Sequence, residues 1–228
     1  MRLVRLRAIL LARSFFIIMK PGFVIGNGRS RTVLNLEDLR KHGRIYGCNA
    51  LYRDFSPDVL IATDPGITAE IEDSGYPLSR PFYTRSPNTS RGSRKIEHHW
   101  GYSSGPVALK YAAVAAHPVI YLLGFDLQGI RGLHNNVYSD TPHYKKRDES
   151  ETYFGNWINQ IANIMDEHKE LMFIRLVDDQ SIIPYRWTQA ANHHTQSISD
   201  FLGSINSSPW QKPKELATNI RSAHLASS

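Results

Sequence analysis

Several short clusters in this chain carry groups that can hold a ligand or act on one. Gly26-Asn27-Gly28, with Ser30 close behind, sets an amide and a hydroxyl beside backbone free of side-chain bulk. Such a turn can cradle a phosphate or nucleotide through its N–H groups. A tight strand-exit turn has the same composition. The cluster is half of the dinucleotide fingerprint. Arg31 stands where a third glycine belongs, and Cys48-Asn49 stands where an acidic residue would grip a ribose, so NAD is disfavoured. There is no lysine-bearing phosphate loop. Ser103-Ser104-Gly105, ahead of Pro106, marks a helix start. Its serines read either as plain caps or as hydroxyls that join the free N–H groups in holding an anion.

Asp64 and Asp126 each follow an apolar run. A carboxylate there can meet a ribose, an amine or a metal, or simply turn the chain. Asp178-Asp179 reads as a solvated turn, with no histidine beside it. His98-His99, His134, His143 and His193-His194 are scattered and show no zinc-ligand spacing, so no metal site is expected. His143 lies with Tyr138 and Tyr144 in a long polar stretch and is the candidate general base.

The elements that position these groups follow from the apolar runs. Strands are predicted at Phe23-Val24-Ile25, Arg44 to Cys48, Asp58 to Asp64, Pro81 to Thr84, Val119 to Leu123 and Leu171 to Val177. Helices are predicted at Leu34 to His42, from Pro65-Gly66 to Ser74-Gly75, and from Ser103 to about Ala116. Phe154, Trp157, Ile158, Ile161, Ile164 and Met165 form one apolar helical stripe. Residues 85–100 read as loop. Strands alternating with helices predict a single α/β Rossmann-like domain, mostly parallel, with helices on both faces. Ligands of such sheets bind off the carboxyl ends of the strands. Gly26, Asn27, Asn49, Asp64, Ser104 and Asp126 should therefore share one rim.

Composition narrows the partners. The chain has 228 residues and a net charge of +6. Seven basic residues precede position 32, and beyond Arg31 20 basic residues face 21 acidic ones. The basic character belongs to one end, so a face for duplex nucleic acid is not indicated. The single cysteine, Cys48, excludes an internal disulfide and fits a reducing compartment. No apolar run is long enough to span a bilayer. Residues 1–18 are arginine-rich and apolar. They read as an upstream extension before a start at Met19, as a membrane-surface helix through residues 1–19, or as a cleaved signal. The domain itself is expected over 19–186, with a lid loop at about 127–149 and a loosely packed polar tail over 187–228.

FVIGNGRSR, GCNALY, ATDPG, SSGPVAL and YLLGFDL, in this order and spacing, resemble a bacterial sialyltransferase family that caps lipooligosaccharides from CMP-sialic acid. The resemblance covers about residues 22–180. It implies a Rossmann-like fold in which Asn27, Asn49, Ser104, Gly105 and Asp126 line a nucleotide pocket, and Tyr138 holds the departing phosphate. Asp64 stands where that family has asparagine, and Gln128 where it has a second tyrosine. Arg147-Asp148 follows His143-Tyr144 where the family continues to its Gly-His-Ser base. IYGCNALYRDFSPDVLIATD with VIGNGRSR also resembles marine-phage proteins labelled morphogenetic. The Gly-x-Gly-x-Ser start with Asp64 is similar to archaeal-type hydroxymethylpterin diphosphokinases, which would imply magnesium on Asp64 and Asp126. The expectation is a nucleotide-dependent, glycosyltransferase-like enzyme. Its partners would be a CMP-sugar donor and a glycan acceptor, with no tightly bound cofactor and with self-association open. Its setting would be the cytoplasm of a bacterial host. The other expectations are a virion assembly protein without catalysis and a diphosphokinase.

Overall fold

The structure, a computed structural model, describes residues 20–99 and 101–207. One sheet of eight parallel strands organises them: β1 (Gly22–Ile25), β2 (Arg44–Cys48), β3 (Val59–Ala62), β4 (Phe82–Thr84), β5 (Arg94–Lys95), β6 (Val119–Leu123), β7 (Met172–Val177) and β8 (His193–Ser197). The spatial order is β5-β4-β3-β2-β1-β6-β7-β8. The chain thus builds outward from β1 in one direction, returns, and builds outward from β6 in the other. This is the doubly wound, Rossmann-like order, with its reversal between β1 and β6.

β1, β3 and β6 carry no charged residue because both sheet faces are covered. Side chains alternate across the pleat. Phe23, Ile25, Tyr121 and Leu123 pack on one face against α1 (Leu36–Leu39), α2 (Pro65–Asp73) and α6 (Ile198–Ser207), through Leu39, Ile67, Ile71 and Phe201. Val24, Ile120, Leu122 and Phe173 pack on the other face against α3 (Ser104–Val114) and α4 (Gly155–Glu167). The alanines of α3, Ala108, Ala112 and Ala113, are fully enclosed there. Their short side chains let the helix lie close to the sheet.

Two sequence expectations need correction. Residues 85–100 are not all loop, because Arg94–Lys95 pair with Tyr83 and Thr84 as β5. Nor is the chain from 187 a loose tail as far as Ser207. Trp187, in the short helix α5 (Tyr185–Thr188), is wholly buried, and its indole N–H donates to the Ile158 carbonyl at 2.9 Å. His193–Ser197 then adds β8 to β7, and Phe201 of α6 is wholly buried in the core. His-His-Thr-Gln-Ser has no apolar alternation, because an edge strand needs backbone pairing more than a buried side-chain row. The expectations for residues 1–18 and for 208–228 lie outside the described residues.

Two predictions follow from this edge. Trp187→Ala empties a fully enclosed site and should cost about 3–5 kcal/mol of stability, read by urea unfolding. A loss under about 1 kcal/mol would show that the edge is not part of the cooperative core. His193 packs edge-on against Trp187 with ring centroids 5.2 Å apart. Burial, and next the Arg175 charge, push its imidazole down to about 4. Between about pH 6.5 and that value the unfolded chain binds a proton that the folded chain refuses, so stability should fall as pH drops through this window. His193→Gln should flatten that part of the stability curve. An unchanged curve would place the dependence elsewhere.

Candidate functional site

At the reversal of strand order a cleft of about 430 Å³ opens off the carboxyl ends of the strands. Its floor comes from Gly26-Asn27-Gly28 after β1 and Gly124-Phe125-Asp126 after β6. Asn49 after β2, Asp64 after β3 and Ser103-Ser104-Gly105 at the start of α3 complete the rim. The clusters that the strand-end rule grouped from sequence therefore share one cavity. Ser30 stands just outside it, in an adjoining groove.

Asp126 organises this floor. One carboxylate oxygen accepts from the Ser30 N–H at 3.1 Å and from the Asn135 side-chain amide at 2.9 Å. The other takes the Ser30 hydroxyl. The carboxylate is thereby spent on holding the β1 exit turn and the long loop together. A side chain at Gly28 would begin 2.5 Å from the Asp126 carboxyl carbon. One at Gly26 would meet the Gly124 carbonyl oxygen at 2.5 Å. Both glycines are required by close approach, which is what the Gly-x-Gly spacing signals.

The serines at α3 act inward. Ser104 is buried, and its hydroxyl accepts from the Thr63 N–H at 2.9 Å and pairs with the Thr63 hydroxyl at 2.9 Å. The Ser103 hydroxyl accepts from the Trp157 indole N–H at 3.0 Å. Both hydroxyls are thus held from inside the fold as acceptors, and a hydroxyl that accepts keeps its O–H to donate, so the anion reading of the pair stands. Beside them is the helix start itself: no side chain caps α3. Its first N–H groups, at Ser104 and Gly105, border the cleft with the positive end of an eleven-residue helix behind them.

Three polar groups along the walls are unspent. Asp64 precedes α2 with its side chain exposed and makes no cap hydrogen bond. The Asn27 side-chain nitrogen donates to the Cys48 carbonyl at 3.3 Å, while its oxygen is buried without a partner. The Asn49 oxygen is likewise buried and unpartnered, on a residue at φ +53. Buried amide oxygens left so are uncommon and mark places where a ligand can complete the bonding.

Several lining residues were not expected at the site. Phe154 and Trp157, part of the apolar stripe of α4, give the cleft two half-buried rings. Arg85 brings a guanidinium that donates to the Tyr102 carbonyl at 2.9 Å. His134 and Asn136 come from the long loop. Burial, and then the Lys145 ammonium, hold the His134 imidazole below the usual histidine range, and its Nε2 is buried without a partner. His134 is neutral at physiological pH.

The two residues expected to be catalytic are elsewhere. Tyr138 is buried, its hydroxyl accepting from Arg31 at 2.7 Å and donating to Asp54. Burial pushes that hydroxyl far above its ordinary range. His143, at φ +69, sets Nε2 3.3 Å from Glu70. Arg53 grips the same carboxylate through two bonds of 2.7 Å and donates to Thr141 at 2.8 Å. Neither Tyr138 nor His143 lines the cleft. The long loop is tied down at two points: Val137 N–H donates to the Asn27 carbonyl at 2.8 Å, and the Tyr144 hydroxyl accepts from the Ala50 N–H at 3.1 Å.

No protein family, curated protein or solved structure matches this chain. Among the described residues no group of three or more His, Cys, Asp or Glu side chains is arranged to hold a metal, and no helix is long and apolar enough to cross a membrane.

Asp126→Ala should cost about 1–3 kcal/mol by stripping three part-buried donor groups of their acceptor. It should also speed amide exchange at Ser30. Unchanged exchange there would mean that the turn holds without the carboxylate.

Proposed function

We propose that this chain is a nucleotide-dependent transferase of glycosyltransferase type, which takes a CMP-sugar as donor. The observation that carries the reading is the uncapped start of α3 facing the Gly26-Asn27-Gly28 turn across the strand-order reversal. Backbone N–H donors and the helix dipole favour a phosphate there, by up to about 2 kcal/mol when partly buried. Phe154 and Trp157 offer ring faces to a base, and the free Asn27 and Asn49 oxygens offer acceptors to its amine or to ribose hydroxyls. Asp64 cannot face the phosphate: two like charges about 4 Å apart cost about 4 kcal/mol at an effective dielectric of 20. It is assigned to the hydroxyl or amine end of the ligand.

Transfer would proceed by direct displacement. The acceptor oxygen bonds to the anomeric carbon as the bond to the phosphate oxygen breaks, and the leaving electron pair settles on the phosphate at α3. The proton of the acceptor hydroxyl goes to a base. His143 sets Nε2 3.3 Å from the Glu70 carboxylate outside the cleft, so that role passes to His134, the imidazole on the cleft wall. The diphosphokinase alternative fits less well. It needs magnesium on Asp64 and Asp126, and the Asp126 carboxylate already accepts three hydrogen bonds.

A thermal-shift screen against CMP, UDP, GDP and ATP, with and without magnesium, tests the assignment. CMP at 100 times its Kd should add about 2.7 kcal/mol of stability. Asp64→Asn should leave CMP binding equal or tighter, with magnesium irrelevant. Stabilisation by ATP alone, only with magnesium and lost in Asp64→Asn, would favour the diphosphokinase. No shift with any nucleotide would leave a protein that keeps the fold without this chemistry.

A further inference from the structure

We propose that this protein forms a two-fold dimer in which β8 of one copy pairs, antiparallel, with β8 of a second copy, so that one sheet runs through both. Among the described residues, β5 and β8 are the two edges of the sheet. A free edge offers unpaired N–H and C=O groups to any passing strand, and folded proteins blunt it with short strands, charge, proline or a bulge. The β5 edge has two of these devices: it is only two residues long, and both of them, Arg94 and Lys95, are exposed charges. β8 has none. It runs for five residues in unbroken register with β7. From Trp187 to Ser199 the chain carries no Lys, Arg, Asp, Glu or Pro, although charged residues make up 21% of the whole.

The ladder sets the direction of the free groups. The Phe173 N–H donates to the Asn192 carbonyl at 2.8 Å, and Phe173 stands opposite His193. In a parallel pair, alternate residues bond to the same neighbouring strand. His194 and Gln196 therefore turn their backbone groups to β7, and His193, Thr195 and Ser197 turn theirs outward. The His193 N–H is spent on the Ala190 carbonyl at 3.1 Å. The Thr195 N–H and C=O, the His193 C=O and the Ser197 N–H bond to no described residue.

A strand with this pattern complements itself. A two-fold axis at Thr195 sets that residue against its own copy, and His193 against Ser197 of the second copy. The two Thr195 residues then exchange both of their bonds, and each Ser197 N–H meets the His193 carbonyl across the axis. Threonine opposite threonine is a favourable cross-strand pair, and no like charges meet along the strands. The same operation lays the two α6 helices side by side on one face of the sheet, because α6 packs beside β7 and β8. Ile198 and Leu202, one turn apart on α6, are only half-buried against the core of the single chain, and the second α6 covers them further. A foreign strand would fill the edge without supplying that helix, so the occupant is assigned as a second copy. The inference stands apart from the transferase reading, since β8 and α6 contribute no residue to the cleft.

The test is analytical ultracentrifugation of the full chain across roughly 1 μM to 1 mM, the span of weak to moderate association, joined to amide exchange at the two ends of that range. A dimer should form, and the Thr195 and Ser197 amides should slow as the protein is concentrated, while those of His194 and Gln196, already bonded to β7, should change less. Thr195→Pro removes an outward N–H that serves no bond within the chain, and Thr195→Lys puts like charges across the axis; each should weaken dimerisation by roughly ten-fold or more. Melting curves taken where the parent protein is monomeric check that the variants fold, and exchange in the unaltered chain decides the matter if they do not. A monomer throughout the range overturns the proposal. So does a dimer that survives both substitutions, which must lie on another face. A Thr195 amide protected equally at both concentrations also overturns it, because the edge is then covered within one chain.

Discussion

The architecture of the site depends on Asp126. Its carboxylate holds the Ser30 N–H, the Ser30 hydroxyl and the Asn135 amide. Its carbonyl holds Arg175 from below. One residue at the exit of β6 therefore joins the exit turn of β1, the long loop and β7. Gly28 must be glycine because this carboxyl group occupies the space of its side chain. Arg175 sharpens the dependence. It is wholly buried, with no carboxylate at ion-pair distance among the described residues, and burial lowers its pKa to about 10. It stays charged on carbonyl oxygens and the face of Trp187, 5.7 Å away. A buried cation so held is costly to retain, and of its two carbonyl partners, Asp126 and Ile182, the first lines both cleft and groove.

A second polar network has the opposite character. Arg31, Asp54 and Tyr138, with Arg53, Glu70 and His143 beside them, tie the loop to the short helical turn Asn49–Arg53. That turn begins with Asn49, one of the cleft residues. Hydrogen bonding by Arg53, first, holds the Glu70 carboxylate below its usual range. The tyrosine and histidine that looked catalytic from sequence do not line the cleft, and their network packs beside the turn that begins with Asn49.

The doubly wound sheet was legible because its inner strands are buried on both faces and so read as apolar runs: Phe23-Val24-Ile25 and Val119 to Leu123 are the clearest. The strand-end rule then grouped Gly26, Asn27, Asn49, Asp64, Ser104 and Asp126 correctly. Three things were hidden. β8 was invisible because His193–Ser197 is polar and half-buried along its length. The inward use of Ser103 and Ser104 depends on Trp157 and Thr63, partners distant in the chain. His134 could not be told from the other loop histidines, because only the packed loop decides which of them borders the cleft.

The central claim is that an anionic ligand group sits on the free N–H groups at the start of α3. The most direct measurement is an amide-resolved NMR titration of the full chain with CMP. The account predicts the largest shifts at Ser104, Gly105 and the Gly26-Asn27-Gly28 turn, with none of comparable size around Tyr138 and His143. Saturable shifts centred on the Arg31–Tyr138–His143 network, or none at Ser104 and Gly105, would contradict it.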